Sequence, residues 1–205
     1  MVKKVIDQSA EEKILNAARK VFIQKGLDGA RMQDIADEAG INKALLHYYF
    51  RTKEKLFEVI FKETAGKMFP KFEMILLSND NLFDKIRKII AGYLEMVIEN
   101  PYLPLFVLNE VNRNSNLGLT SFFEKQKPVF AKKFVEAVEK EIAAGKIKPV
   151  SPPQLLINMM AMCVFPFLAK PIISTLWQID ELQFKSLMEQ RKKDIADFII
   201  NSIKK

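Results

Sequence analysis

Residues 39–57, AGINKALLHYYFRTKEKLF, follow a glycine turn with cations, an imidazole and phenols at helical spacing. With Leu46 and Phe50 pointing inward, a period of 3.6 residues leaves Lys43, Ala44, His47 and Tyr48 on the outer side. These types suit contact with DNA. Lysine offers a point charge to phosphate or guanine, histidine and tyrosine offer hydrogen-bonding groups, and an alanine lets the helix backbone approach closely. Asn42 is placed to cap this helix, and Thr52 to cap the next, from Lys53. Lys53 itself is expected at another phosphate.

The elements that position these groups are all helical. Glycine is scarce, with 7 residues in 205, and apolar positions recur at helical spacing with little strand-like alternation. Ser9 and Glu12 form an S-x-x-E capping box, and Ile14, Leu15, Ala18, Val21 and Phe22 make one stripe before Gly26, predicting a first helix over about 10–25. A short helix over RMQDIADEAG follows, with Ile35, Ala36 and Ala39 inward and Gly40 at the turn. Two short helices joined by a tight glycine turn form the arrangement that places a helix in the DNA major groove.

Residues 9–57 resemble the DNA-binding domain of the TetR family of bacterial transcriptional regulators. The resemblance rests on Asp34-Ile35-Ala36, Ala39-Gly40, Tyr48-Tyr49-Phe50, Lys53 and Leu56. Three positions depart from the family pattern. Arg31 replaces the usual threonine or serine cap of the second helix and is suited to a phosphate instead, Leu45 stands where a small polar residue is common, and His47 where tyrosine is common. Leu45 has no hydrogen bond to offer, so its base partner would be a thymine methyl, whereas His47 would donate to a guanine or thymine acceptor or to phosphate. The expected DNA-contacting set is therefore Arg31, Asn42, Lys43, Ala44, Leu45, His47, Tyr48 and Lys53.

Beyond Lys53 the helical pattern continues to Pro70, restarts after SNDN, stops at Asn100-Pro101, and resumes in YLPLFVLNEVNRN and in a long helix capped by Ser121 and Glu124 and ending at Gly145. Ser151, Pro152 and Gln154 open the next helix, and a last one runs from Asp180. The expected fold is all-α with about nine helices, an N-terminal three-helix helix-turn-helix DNA-binding domain at 1–52 and a helical ligand-binding and dimerisation domain at 53–205. The apolar run Leu155–Trp177 is interrupted by Asn158, Pro166, Lys170 and Pro171, which suits a bundle helix better than a membrane span. Apolar on all sides, it needs neighbours all round, with a partner subunit or a cavity on one side.

Formal net charge is +7, which fits an anionic partner without requiring one. Cys163 is the single cysteine and His47 the single histidine, far apart in sequence, so neither a disulfide within the chain nor a Cys/His metal site is expected. No glycine-rich phosphate loop, G-x-S-x-G or H-E-x-x-H is present, and no enzymatic activity and no cofactor are expected. The N-terminus lacks an apolar core of secretion-signal length, so a cytoplasmic protein is expected.

The broad apolar face of the closing helix calls for a two-fold partner, a homodimer. The family resemblance implies repression at a roughly palindromic double-stranded DNA operator and release by a small-molecule effector bound in the C-terminal domain. Tyr93, Met96, Phe106, Phe122, Met159, Phe165 and Trp177 are the expected apolar walls of that site, with Asn109, Glu110 or Asn158 as polar anchors. The competing reading is a helical small-molecule carrier or scaffold that uses residues 30–55 only for packing. Salt-sensitive, sequence-dependent affinity for duplex DNA separates the two.

Overall fold

Ile14, Ala18, Val21 and Phe22 recur at three- and four-residue spacing and are all buried, making α1 (Gln8–Gly29) one wall of an N-terminal core. In the computed structural model, which describes residues 8–112 and 119–205, α1 begins at Gln8. Ser9 therefore lies inside the helix, not at the cap expected for it. Gly26 adopts φ 67° and ψ 175° and breaks the helical path where an end was expected. One further turn reaches Gly29.

Nine more helices follow: α2 (Met32–Ala39), α3 (Lys43–Tyr49), α4 (Lys53–Leu77), α5 (Leu82–Glu99), α6 (Leu103–Asn112), α7 (Leu119–Ala143), α8 (Pro152–Leu168), α9 (Lys170–Trp177) and α10 (Glu181–Ile203). The described residues contain no strand, only an isolated antiparallel bridge between Ile147 and Lys204. Ten helices replace the expected nine because the run from Leu155 to Trp177 is two helices meeting at 70° around Ala169. No single helix among the described residues is long and apolar enough to cross a membrane.

Pro70 does not end α4. An interior proline costs about 3 kcal/mol, but Phe69, Phe72 and Leu76 on either side of it are buried. Each large apolar side chain removed from water contributes about 1.5–3 kcal/mol, so continuing the helix wins.

Two apolar clusters result. One joins α1, α2 and α3 to the first half of α4, with Leu56, Phe57, Ile60, Phe61, Ala65 and Phe69, and to Tyr102, Leu103 and Phe106 beside them. The other packs the second half of α4 with α5, α7, α8 and α10. The N-terminal core thus runs past residue 52, because α4 supplies one of its walls. Phe57, fully buried, sits at its centre, with ring centroids 5.6 Å from Phe22 and 5.6 Å from Tyr102.

The start of α4 is tied to the end of α1. Lys53 Nζ donates to the carbonyls of Leu27 at 2.6 Å, Ala30 at 3.2 Å and Asp28 at 3.4 Å. Carbonyls at a helix C-terminus lack donors within the helix and carry partial negative charge, so an ammonium satisfies both demands.

Replacing Phe57 with alanine is expected to lower stability by about 3–5 kcal/mol, as for other buried aromatics. Lys53→Met is expected to lower it by about 1–3 kcal/mol through lost charge-assisted bonds. Calorimetry checks both, and an unchanged melting temperature for Lys53→Met would mean that the ammonium is turned to solvent.

Candidate nucleic-acid interface and apolar cavity

The sequence from Arg31 to Phe50 builds a short helix pair with one face committed to the core. α2 is anchored by Ile35 and Ala36, both fully buried. Arg31 occupies its N-cap and has no side-chain acceptor to offer, so the capping bond comes from the other direction, with Arg31 N–H donating to Asp34 Oδ2 at 3.1 Å. Lys25, 3.0 Å from Asp34, and that backbone N–H hold the Asp34 carboxyl below the usual carboxylate range. Gly40, at φ 66° and ψ 33°, supplies the left-handed residue that closes α2. The Ile41 N–H reaches back to the Ala36 carbonyl at 3.0 Å.

α3 begins at once. Asn42 Oδ1 accepts from Leu45 N–H at 2.7 Å, and Leu46, fully buried, with Phe50 at 6% exposure, pins the helix to the core. This fixes the rotation of α3 and turns Lys43, Ala44, Leu45, His47 and Tyr48 outward. Leu45 is 37% exposed and Tyr48 57%, while Tyr49 is half-buried, its ring meeting that of Tyr48 edge-on with centroids 5.5 Å apart. Lys43, Ala44, His47 and Tyr48 face outward as helical period predicts, and Leu45 joins them.

His47 Nδ1 lies 3.1 Å from the Arg51 carbonyl, which only accepts, so the proton belongs on Nδ1. The neutral ring then presents Nε2 as an acceptor, matched to the amino groups of adenine or cytosine.

Among the described residues, the side chains of Arg31, Lys43 and Arg51 enter no ion pair, whereas Lys20, Lys25 and Lys55 are paired with Glu38, Asp34 and Glu58. These three cations lie at the start of α2, in α3 and just after it. Lys53 is different. The bonds to the α1 carbonyls already engage its ammonium, so it holds the frame on which the contacting helix sits.

A second feature lies in the helical body. A cavity of about 430 Å3 is enclosed by α4, α5, α6, α7 and α8. Phe61, Met68, Phe69 and Phe72 come from α4, Tyr93 and Met96 from α5, Leu103 and Val107 from α6, Phe130 from α7, and Leu156, Met160 and Val164 from α8. Of the residues expected in a ligand site, Tyr93 and Met96 are in its wall. Phe106 and Met159, each 2% exposed, are instead packed in the two cores. Phe165 at 62% exposure and Trp177 at 67% lie on the surface, because the break after Leu168 and the rotation of α8 turn them away from the cavity. Asn109 and Asn158 are exposed as well, and the side chains of Glu110 and Phe122 lie outside those described. From the sequence, none of the α4 wall residues is expected in a ligand site. The signal of that wall is the stripe Phe61, Ala65, Phe69, Phe72, spaced by four, four and three residues.

The family model for "Bacterial regulatory proteins, tetR family" matches residues 14–60, which hold α2, α3 and their supporting core. The HTH-type transcriptional repressor KstR2 of Mycolicibacterium smegmatis is 24% identical over 141 residues, 69% of either chain. The biofilm operon icaADBC negative transcriptional regulator IcaR of Staphylococcus aureus is 24% identical over 136 residues, 57% of this chain and 71% of that one. Among solved structures, the ketosteroid transcriptional regulator KstR2 of Mycobacterium tuberculosis superposes with a TM-score of 0.70 at 18% identity over the full length of both chains. The TetR-family regulator PfmR of Thermus thermophilus gives 0.68 at 16% identity, covering 92% of this chain and 97% of its own. Residues 14–60 thus match the tetR-family model and sit on a helical body that shares the fold of solved TetR-family regulators, so the chain is similar to the DNA-binding transcriptional regulators of that family.

Proposed function

We propose that this regulator is a homodimeric repressor acting in the bacterial cytoplasm, whose two α3 helices enter the major groove at the half-sites of a roughly palindromic operator. The observation that carries the proposal is the outward face of α3, rigidly set by Asn42 and Leu46. Lys43, Arg31 and the Asn42 amide are suited to phosphates or guanine, His47 Nε2 to an amino group, Leu45 to a thymine methyl, and Ala44 allows close approach. Tyr48 adds a phenol at the edge of the same face. Repression is what the names of KstR2 and IcaR say of those proteins.

The dimer is supported by the surface of the closing helices. Ile157 is 56% exposed, Phe165 62% and Phe198 63%, which is apolar area that a second copy would cover. Two-fold symmetry would set the α3 helices about 34–36 Å apart, one turn of DNA. We take the cavity as the seat of a small, largely apolar effector. Phe61, Ala65, Phe69 and Leu103 belong both to its wall and to the N-terminal core, so a ligand that moves them acts directly on the support of α3. Release of DNA follows from that shared wall.

Lys43→Ala and Tyr48→Ala are expected to weaken operator binding with little change in melting temperature, since both are exposed. Leu45→Thr should alter the preferred base at one position of each half-site, a discrimination of about 1–3 kcal/mol per wrong pair. Site selection from a randomised duplex pool reads this out, and an unchanged motif would withdraw Leu45 from base contact. Phe198→Glu should convert a dimer to a monomer in sedimentation and abolish tight operator binding. A wild-type protein that sediments as a monomer at micromolar concentration and still binds the palindrome tightly would sink the dimer.

A further inference from the structure

Resting on the effector reading above, we propose that the effector is an uncharged, mostly apolar molecule with one oxygen function that hydrogen-bonds the Tyr93 hydroxyl. No described side chain lining the cavity carries a charge. A carboxylate or ammonium held there would lose its water and find no counter-ion among the described lining residues, the arrangement that buried charges avoid. The wall is built instead from phenylalanines, methionines and aliphatic groups, with two hydroxyls among them, those of Thr64 and Tyr93.

The two hydroxyls are not equivalent. Thr64 Oγ1 donates to the Ile60 carbonyl at 2.9 Å, one turn back in α4, so its proton is engaged within the helix. Tyr93 makes no hydrogen bond among the described residues, and burial, with a smaller contribution from Cys163, pushes its hydroxyl above the ordinary tyrosine value. It stays protonated, a donor in an apolar enclosure. An unpaired hydroxyl there loses free energy that a ligand carbonyl, ether or hydroxyl oxygen recovers. A purely hydrocarbon ligand leaves it unpaired, and an oxygen elsewhere on the ligand gains nothing.

Charged groups begin beyond the wall. Thr64, Met68, Phe72 and Met96 also border an open cleft of about 980 Å3 between α1, α4 and α5, whose rim carries Glu11, Glu95 and Lys67 among others. Met68 and Met96 separate the cavity from that charged rim. The apolar cavity on the near side of that wall therefore favours an uncharged ligand.

The test uses three probes that share a ten-carbon chain: 1-decanol, decanoate and decylammonium. Thermal unfolding of the full-length protein is followed as each is titrated, for wild type and Tyr93→Phe, since a ligand that binds only the folded state raises the melting temperature. The expected result is a rise with decanol, little with either ion, and an affinity for decanol about fivefold weaker in Tyr93→Phe, the scale of one net hydrogen bond. Each variant's own unliganded melting temperature is the reference, so a change in intrinsic stability does not enter. Equal decanol affinity in the two proteins overturns the Tyr93 assignment and leaves the effector cavity standing. A larger response to decanoate or decylammonium than to decanol overturns the uncharged ligand and moves the site to the cleft. No response to any of the three removes the effector reading together with this one.

Discussion

The structure depends on α4 remaining one helix from Lys53 to Leu77. Its first half is a wall of the core that supports α3, and its second half is a wall of the cavity. A break at Pro70 would separate these halves. Apolar burial on both sides prevents it, since the summed burial of Phe69, Phe72 and Leu76 exceeds the local penalty of proline. The helix begins under the end of α1, where the Lys53 ammonium on three carbonyls fixes its angle of entry. A shift of α4 is therefore felt at α1 through Lys53 and at α3 through Leu56, Phe57 and Ile60. The proposed reading of a cavity ligand at the DNA would use this coupling.

The contacting face itself is small, and its energetics are divided by where each group's bonds already lie. Side chains that hold the frame have partners in the protein: Asn42 Oδ1 to Leu45 N–H, Asp34 to Lys25 and Arg31 N–H, Lys53 to α1. Lys43, Arg51 and the Arg31 guanidinium enter no ion pair among the described residues. Cations in such a setting contribute a sequence-independent attraction that falls with salt. In the proposed complex, base choice would fall to Leu45 and His47, which offer different chemistry to the groove.

Much of this was legible in the sequence because it is set by short-range physics. Asn42 and Thr52 as caps, Gly40 as the left-handed turn and Leu46 as the inward anchor are each decided within one turn of helix. What the sequence did not disclose depends on distant partners. Lys53 looks like a phosphate ligand until the end of α1 is seen beside it, and the tautomer of His47 follows from the Arg51 carbonyl one turn on. The cavity was missed at most positions because the same phenylalanines and methionines serve equally well as core. Only the packing of α4 against α5 to α8 separates Tyr93 and Met96, which line it, from Phe106 and Met159, which do not.

α8 resolves the question of why one helix is apolar on every side. Leu155, Met159 and Cys163 form one stripe, buried with Phe167 against the bundle, and that burial pushes the Cys163 thiol up to about 12. Leu156, Met160 and Val164 form a second, lining the cavity. Ile157, Ala161 and Phe165 form a third, exposed on the face where we propose the partner. Pro166 lies among these stripes and has no N–H for the Met162 carbonyl four residues back. Arg191 of α10 supplies the missing donor, its Nη2 lying 3.0 Å from that carbonyl. The bond locks α8 to α10 at the level where cavity and outer face are separated by the thickness of a single helix. A change in the cavity wall at Met160 or Val164 is then carried by α8 and α10 together. In the proposed dimer, α8 and α10 would carry such a movement from the cavity wall to the partner subunit.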